Sequence, residues 1–144
     1  LRDLSVGKVE GVLWNTSWER YTSLSELQIR SDDIVKVLMK TDVPLLPPNL
    51  VILQIANLED IECLDGKWLQ HLTSLHKLEI WDAPKLKLLP KEGLPSSLKV
   101  LDIQRCPLLN ASLRRKQGKE WRKIAHIAFV FIDVDLLGYG TILG

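Results

Sequence analysis

The sequence predicts a leucine-rich repeat solenoid, an α/β horseshoe-like fold that is mostly β-strand and loop. The pattern Leu-x-x-Leu-x-aliphatic recurs at intervals of 23 to 26 residues, starting at positions 1, 24, 50, 75 and 98. The five copies are Leu1-Leu4-Val6, Leu24-Leu27-Ile29, Leu50-Leu53-Ile55, Leu75-Leu78-Ile80 and Leu98-Leu101-Ile103. Self-similarity at this period indicates stacked repeats, which form an extended concave surface suited to recognition.

Each repeat is expected to supply one short strand. The second and third aliphatic positions of the motif are two residues apart, the spacing of one face of a strand. The core pattern continues three, six and nine residues after the last strand aliphatic, at Leu58, Ile61 and Leu64 and again at Ala83, Leu86 and Leu89. Burying one Leu or Ile is worth about 1.5–3 kcal/mol, and only neighbouring coils can bury these layers. Successive strands should therefore pair in parallel along the concave face.

The convex return segments are expected to be irregular, with few short helices. They are rich in proline, which lacks an N–H and fixes φ: Pro44, Pro47, Pro48, Pro84, Pro90, Pro95 and Pro107. One helical turn is predicted within Ser31–Met39, capped by Asp32 or Asp33.

The slot three residues after the last strand aliphatic departs from the usual repeat consensus of Asn or Cys. The chain has Val9, Asp32, Leu58, Ala83 and Cys106 there, and only the cysteine fits. Because the usual ladder of buried Asn hydrogen bonds is missing, we expect the coils to stack less regularly.

Residues 1–109 are predicted to form about five coils, residues 110–135 a C-terminal cap and residues 136–144 a tail. The cap should contain a short helix around Glu120–Ala125, with Trp121 and Ile124 packed on the last coil. An aliphatic triple with the repeat spacing then predicts a final edge strand: Ile127, Val130 and Ile132. No structure is assigned beyond Asp135. Because the chain starts inside a repeat without Met, signal peptide or polar cap, we expect it to be the C-terminal piece of a longer protein.

Composition favours a folded domain and gives little support for nucleic-acid or membrane partners. The formal net charge is +1, and no stretch approaches the roughly 20 apolar residues that span a bilayer. Residues 113–126 carry six basic residues and one acid. They could contact phosphate, nucleic acid or anionic lipid, but Trp121 is their sole aromatic residue and a solvated cap is the favoured interpretation.

No pattern indicates an enzyme, a metal site or a cofactor. His71, His76 and His126 lack Cys, Asp or Glu at metal-ligand spacing, and no phosphate-binding loop or nucleophile elbow occurs. The two cysteines, Cys63 and Cys106, are too few for a disulfide framework, so we expect buried thiols. Two Asn-x-Ser sequons, at 15–17 and 110–112, matter only if the chain is secreted.

The concave face is the candidate recognition surface. The residues that alternate with the inward aliphatics should line it: Asp3, Ser5, Glu26, Gln28, Arg30, Ile52, Gln54, Ala56, Lys77, Glu79, Trp81, Val100, Asp102 and Gln104. Trp81 stands out, because an exposed Trp on a sheet is a favoured interface anchor. Packing of Trp81 against a neighbouring coil is equally open.

Several phrases resemble the last repeats of plant nucleotide-binding leucine-rich-repeat disease-resistance proteins. They are LQHLTSL at 69–75, LKLLPKEGLPSSL at 86–98, CPLL at 106–109 and the closing GKEWRKIAHI at 118–127. The resemblance covers about residues 20 to 135 and is closest to the coiled-coil subclass. Asp82-Ala83-Pro84 stands where that family usually has Cys-Pro, and Ala128 replaces a customary Pro.

The resemblance implies a cytoplasmic immune receptor whose repeats bind a pathogen effector or a guarded host protein. It also implies that the repeats hold a nucleotide-binding domain inactive until binding occurs. That domain is not in this chain, so no nucleotide cofactor is expected here. The implied recognition residues are Glu26, Gln28, Arg30, Gln54, Lys77, Glu79, Trp81, Asp102 and Gln104.

Two other functions remain open. One is a secreted inhibitor or receptor ectodomain built from similar repeats, which a disulfide or glycans on Asn15 or Asn110 would favour. The other is nucleic-acid binding through the basic residues between Arg114 and Lys123, for which salt-dependent binding of an oligonucleotide would be the sign.

Overall fold

The chain forms a parallel sheet accompanied by few short helices. The computed structural model describes residues 3–6, 25–40, 46–65, 67–115, 118–133 and 141–143. In chain order the elements are β1 (Asp3–Val6), β2 (Glu26–Ile29), α1 (Asp32–Lys40), β3 (Ile52–Ala56), β4 (Lys77–Trp81), β5 (Val100–Gln104), α2 (Pro107–Leu113), α3 (Lys119–Ile124), β6 (Phe129–Ile132) and β7 (Thr141–Leu143). The strands lie in the sheet in their chain order. This arrangement is compatible with a repeat or solenoid-like α/β fold.

The motif leucines pair with their counterparts on adjacent strands. Leu53 lies opposite Leu27 on one side and opposite Leu78 on the other, and Leu78 lies opposite Leu101. All of them are at most 2% exposed. The pairings from β1 to β6 are parallel and proceed residue for residue. The predicted parallel strands are therefore confirmed.

Backbone hydrogen bonds at the start of each strand keep the coils in register. The Ser25 carbonyl accepts the N–H groups of Val51 (2.8 Å) and Ile52 (2.9 Å). Equivalent pairs of N–H groups bond to the carbonyl oxygens of Val51 and His76 in the next two coils. These bonds repeat from β2 to β5 and hold the strands in register. The expectation of less regular stacking stays a prediction.

The core continues behind the sheet as the sequence pattern predicts. The positions three, six and nine residues after the strand aliphatics are at most 4% exposed: Leu58, Ile61, Leu64, Ala83, Leu86, Leu89, Cys106 and Leu109. Trp68 is 4% exposed, and its indole N–H donates to the Leu64 carbonyl at 3.3 Å. Trp68 therefore belongs to the core.

Helix α1 is longer than the single turn predicted, and its cap differs. The Ser31 hydroxyl oxygen accepts the N–H of Asp33 at 3.2 Å, so Ser31 caps the helix. Asp32 instead accepts the N–H groups of Glu59 (2.8 Å) and Asp60 (2.7 Å) from the next coil. The buried residues Ile34, Val35 and Leu38 form one side of the helix and explain its length.

The phrase between β4 and β5 is a pair of tight turns. The N–H of Gly93 donates to the Pro90 carbonyl at 3.0 Å, and that of Leu98 donates to the Pro95 carbonyl at 3.1 Å. Gly93 has φ of +82°, a conformation that side chains with a Cβ rarely adopt. The Lys-Glu-Gly-Leu-Pro order of the phrase thus follows from turn geometry.

Helix α2 follows the last predicted coil and was not predicted. It starts with Pro107 at its first position, where a missing N–H costs nothing, and it buries Leu109 and Leu113 on one side. Pro107 and the i, i+4 pair Leu109 and Leu113 are sequence signals of this helix, but the predicted boundary between the last coil and the cap, after Leu109, divides them.

The C-terminal cap confirms part of the prediction. Helix α3 occupies the expected place, Ile124 is 1% exposed, and Trp121 packs partly buried against the core. Strand β6 is confirmed, but β7 pairs with it antiparallel. Strand β6 is therefore not the edge, and the assignment of no structure after Asp135 is wrong for residues 141–143. Pairing by β7 satisfies backbone groups that β6 would otherwise leave open.

A buried ion pair fastens α3 to the neighbouring coil. The Glu120 carboxylate accepts the N–H of Leu89 at 2.7 Å, and the Lys123 ammonium donates to the Leu89 carbonyl at 2.9 Å. Lys123 also contacts Glu120 at 3.0 Å, and the side chains of the two residues are 18% and 8% exposed. Both main-chain groups of Leu89 are thus satisfied by the cap, which explains the spacing Glu-x-x-Lys.

Some predictions fall outside the described residues. They concern the first motif positions Leu1 and Leu24, the consensus slot at Val9, and Asn15, Pro44 and Lys116. Among the residues that are described, no helix has the length and apolar character needed to cross a membrane.

Replacing Glu120 should loosen the cap. We expect Glu120→Ala to lower the free energy of unfolding by about 3 kcal/mol, because it leaves the Lys123 charge and the Leu89 N–H buried without their partner. Urea denaturation would measure the loss, and amide hydrogen exchange should show faster exchange at Leu89. The exposed neighbour provides the control: Lys119→Ala should change stability by less than about 0.5 kcal/mol. Equal effects of the two substitutions would contradict the assigned role.

Candidate functional site

The candidate site is the face of the sheet that points away from the aliphatic core, which we call the open face. Its described residues are Glu26, Gln28, Ile52, Gln54, Ala56, Lys77, Glu79, Trp81, Val100, Asp102, Gln104, Phe129 and Phe131. The predicted recognition residues all belong to this face except Arg30, which directly follows β2 and is exposed. Asp3 and Ser5 lie on β1 in register with this face, and the structure does not describe their side chains.

Strand register arranges the open face in three rows. The first row is Glu26-Ile52-Lys77-Val100-Phe129, the second is Gln28-Gln54-Glu79-Asp102-Phe131, and the third is Ala56-Trp81-Gln104. Neighbours within a row are about 4.8 Å apart along the backbone, and adjacent rows are roughly 6.6 Å apart. The sheet therefore presents a grid of side chains whose positions the backbone determines.

Gln54 does not offer the exposed surface that the sequence pattern predicts. It is 7% exposed, between its register neighbours Gln28 and Glu79. Its side chain hydrogen-bonds to Glu79. Gln54 therefore supports the Glu79 carboxylate from the side. Its position between two neighbouring long side chains is the physical reason for the difference.

Two carboxylates occupy neighbouring positions in the middle row. Glu79 and Asp102 are direct register partners, and the Gln104 side-chain amide donates to Asp102 Oδ1 at 2.9 Å. Burial raises the pKa of Glu79 above its ordinary value, Lys77 opposes that shift and Asp102 adds to it. The fold thus holds a partly desolvated carboxylate next to a second one.

An aromatic end of the open face was missed at the sequence level. Phe129 is 54% exposed, and Phe131 is half-buried beside it on β6. Val100, a register partner of Phe129, extends this apolar surface onto β5. The rule applied to the other strands would have identified both phenylalanines, because they alternate with the inward Val130 and Ile132. The interpretation of β6 as a cap strand left these two phenylalanines out of the predicted face.

Trp81 lies in the third row between Ala56 and Gln104. It is half-buried, and its indole Nε1 is covered without a hydrogen-bond partner among the described residues. Part of the side chain is therefore covered while the rest remains accessible. Partial burial of Trp81 is compatible with packing, and its role as an interface anchor stays a prediction.

A polar ladder connects the strand ends on the side of the return segments. Asp82 and Arg105 form a two-bond ion pair, and the N–H of Arg105 donates to Asp133 Oδ1 at 2.7 Å. The Arg105 guanidinium holds the pKa of Asp82 below its ordinary value. Asp133 Oδ2 also accepts the Asn110 side-chain amide at 2.6 Å. Because these groups hydrogen-bond to one another, they join adjacent coils and have little hydrogen-bonding capacity left for a ligand.

A shallow cleft lies beside Arg30, where β2 meets α1. Its volume is about 320 Å³, and charged side chains of both signs line it, including Arg30, Lys36, Asp32 and Asp60. Asp32 is already bonded to two main-chain N–H groups, and Asp60 pairs with Lys85 at 3.0 Å. The cleft therefore marks one border of the open face and has no evident chemistry of its own.

Nucleophilic and metal-binding groups are arranged as follows. Both cysteines are free thiols, with Cys63 half-buried and Cys106 buried. Burial raises the pKa of Cys106 to about 11, and the thiol contacts the Ile80 carbonyl at 3.4 Å. Within the described ranges, no group of three or more His, Cys, Asp or Glu residues could hold a metal ion.

Comparison with known proteins gives no relative for this chain. No protein-family model matches it, and neither a curated protein nor a solved structure does. Any functional conclusion must therefore come from the sequence phrases and from the geometry of the open face.

Neutralising Glu79 should stabilise the fold. Because its pKa in the folded state is raised, the folded chain binds more protons than the unfolded chain between the two pKa values. Stability therefore falls as pH rises through that window, starting from the ordinary value of 4.5. We expect Glu79→Gln to raise the free energy of unfolding at neutral pH by less than about 1 kcal/mol, since the carboxyl is partly exposed.

Urea denaturation above and below this window would test that expectation. Below this window Glu79 is protonated in both the folded and the unfolded state. The gain in the free energy of unfolding should therefore disappear there. The matched control is Glu62→Gln on an exposed return segment, which should change stability by less than about 0.5 kcal/mol. A loss of stability on Glu79→Gln at neutral pH would show that its hydrogen bonds outweigh desolvation.

Proposed function

We propose that this chain is the recognition and autoinhibitory part of a cytoplasmic plant immune receptor of the nucleotide-binding leucine-rich-repeat class. In this proposal the repeats form a leucine-rich repeat solenoid, and the open face is its concave, ligand-binding side. The partner is a pathogen effector or a guarded host protein. The observation that carries the proposal is the stack of in-register strands, which buries the motif leucines and displays chemically varied side chains on the other side.

The phrases shared with that receptor class have definite physical roles in this fold. The Leu-Pro-x-x-Gly-Leu-Pro phrase forms the two turns at Gly93 and Leu98. The closing Lys-Glu-Trp-x-Lys phrase supplies the ion pair of Glu120 and Lys123 that binds the main chain of Leu89. Residues with such constrained roles support the resemblance more strongly than matching leucines do, because leucines recur in every repeat family.

A secreted repeat protein is the less favoured function. Both cysteines are free thiols. The Asn110 nitrogen, which a glycan would need, donates to Asp133 at 2.6 Å and belongs to helix α2. The second sequon, at Asn15, lies outside the described residues.

Nucleic-acid binding by the basic cap is also less favoured. Lys123 is committed to Glu120 and Leu89, and the Arg114 guanidinium bonds to Asn110. Arg115, Lys119 and Arg122 remain exposed, and Lys116 lies outside the described residues. These three are fewer than the roughly six to ten phosphate contacts of strong, salt-dependent binding.

The coding sequence upstream of Leu1 tests the family proposal directly. A receptor of this class should contain a Gly-x-x-x-x-Gly-Lys-Ser/Thr phosphate-binding loop several hundred residues before the repeats. Sequencing the complete transcript would reveal it. An upstream secretion signal in place of that loop would instead support the ectodomain function.

Open-face substitutions in the complete receptor test the recognition proposal. We expect Trp81→Ala and Arg30→Ala to reduce recognition-dependent cell death in leaves, because Trp81 is partly accessible on the open face and Arg30 is exposed directly beside it. Protein abundance should stay the same, since neither residue belongs to the aliphatic core. Lys87→Ala, an exposed change on a return segment, is the control. Loss of recognition with the control but not with the open-face variants would place the binding surface elsewhere.

A further inference from the structure

The half of the open face formed by β4, β5 and β6 combines an apolar area with two carboxylates. The apolar area consists of Val100, Phe129 and Phe131, which are cross-strand or next-row neighbours. Phe129 is the most exposed large apolar side chain of the described residues, at 54%. A water-exposed aromatic residue beside a second aromatic and a valine is a favourable place to bury a partner's aliphatic side chain.

The carboxylates of Glu79 and Asp102 border this apolar area. Asp102 lies opposite Phe131 in the middle row, and Glu79 is the next residue in that row. Gln54 and Gln104 hydrogen-bond to the two carboxylates and orient them. A carboxylate can accept about four hydrogen bonds, so both keep capacity for another donor.

The charge of this half-face is incompletely balanced by the fold. On β4, β5 and β6, which are described throughout, Lys77 is the one open-face cation against the two carboxylates. Glu79 is also partly desolvated, which the raised pKa reflects. A cation delivered by a partner would meet a Glu79 carboxylate that has already lost part of its hydration, which makes the interaction stronger than one in water.

Aromatic side chains stand on both sides of the carboxylates. Phe131 is the register neighbour of Asp102, and Trp81 follows Glu79 by two residues on β4. A guanidinium bonds carboxylates through its planar fork and stacks on aromatic rings, while an ammonium gains from the same ring faces. The arrangement therefore suits a basic side chain better than a neutral polar one.

From these observations we infer that this half-face binds a protein segment presenting an Arg or Lys side chain next to an aliphatic side chain. The basic group would bind between Glu79 and Asp102, and the aliphatic group would cover Val100, Phe129 and Phe131. This inference rests on the proposed recognition function and specifies the chemistry of its partner. Charge complementarity and the adjoining exposed aromatic surface determine this occupant.

Selection from a phage-displayed library of random dodecapeptides on the immobilised 144-residue chain would test the inference. We expect enriched peptides to carry Arg or Lys beside Leu, Ile or Val, and their affinity to fall as salt screens the ion pairs. The double variant Glu79→Gln/Asp102→Asn should weaken an enriched peptide at least about tenfold. Phe129→Ser should weaken it to a similar extent by removing apolar contact.

Matched controls separate the loss of peptide affinity from the effects of a general loss of negative charge or of unfolding. The double variant Glu59→Gln/Glu62→Gln removes two exposed carboxylates from a return segment and should leave the affinity unchanged. Circular dichroism and urea denaturation would establish that each variant is folded. Replacing the Arg or Lys of an enriched peptide by Gln should reproduce the loss seen with the protein double variant.

The outcomes distinguish this inference from the recognition proposal. Peptides that lose affinity on Trp81→Ala or Phe129→Ser but carry no basic residue would overturn the inference and leave the open face as the binding surface. Peptides insensitive to every open-face variant would contradict both. Absence of any enriched peptide would overturn the inference, because a preformed grid with this chemistry should select short complementary segments.

Discussion

In-register pairing of parallel strands is the constraint on which the other features of this protein depend. A single repeat cannot bury its own leucines, so they are shielded from water only when another repeat packs on each side. Leu53 illustrates this, because it lies between Leu27 and Leu78 and has no exposed surface. The same register then determines the opposite side of the sheet. The rows of the open face follow from the core without any further interaction.

A stack of this kind must end without leaving a layer open. At the C-terminal end the protein uses several devices together, which are the apolar contacts of α2 and α3, the antiparallel β7 and the ion pair of Glu120 and Lys123. The ion pair is notable because buried charges are tolerated only when their hydrogen bonds are satisfied. Leu89 supplies both a donor and an acceptor for that purpose.

The sequence was sufficient for strands β2 to β6, because their aliphatic residues repeat at a fixed spacing and alternate along each strand. It was insufficient where partners distant in the chain decide the outcome. Strand β7 depends on pairing with β6, and the burial of Gln54 depends on the side chains of adjacent coils. Ser31 caps α1 because Asp32 is bonded to the following coil. Residues that are adjacent in sequence do not indicate which distant partners a group will pair with in the folded chain.

The separation of the two sides of the sheet has an evolutionary consequence. A change at Glu79 or Phe129 alters what the protein displays, while the leucines on the reverse side keep their neighbours. Lineages can therefore exchange these side chains one at a time with little penalty in folding. Gene copies that diverge in this way would share one backbone and present different side chains on the open face.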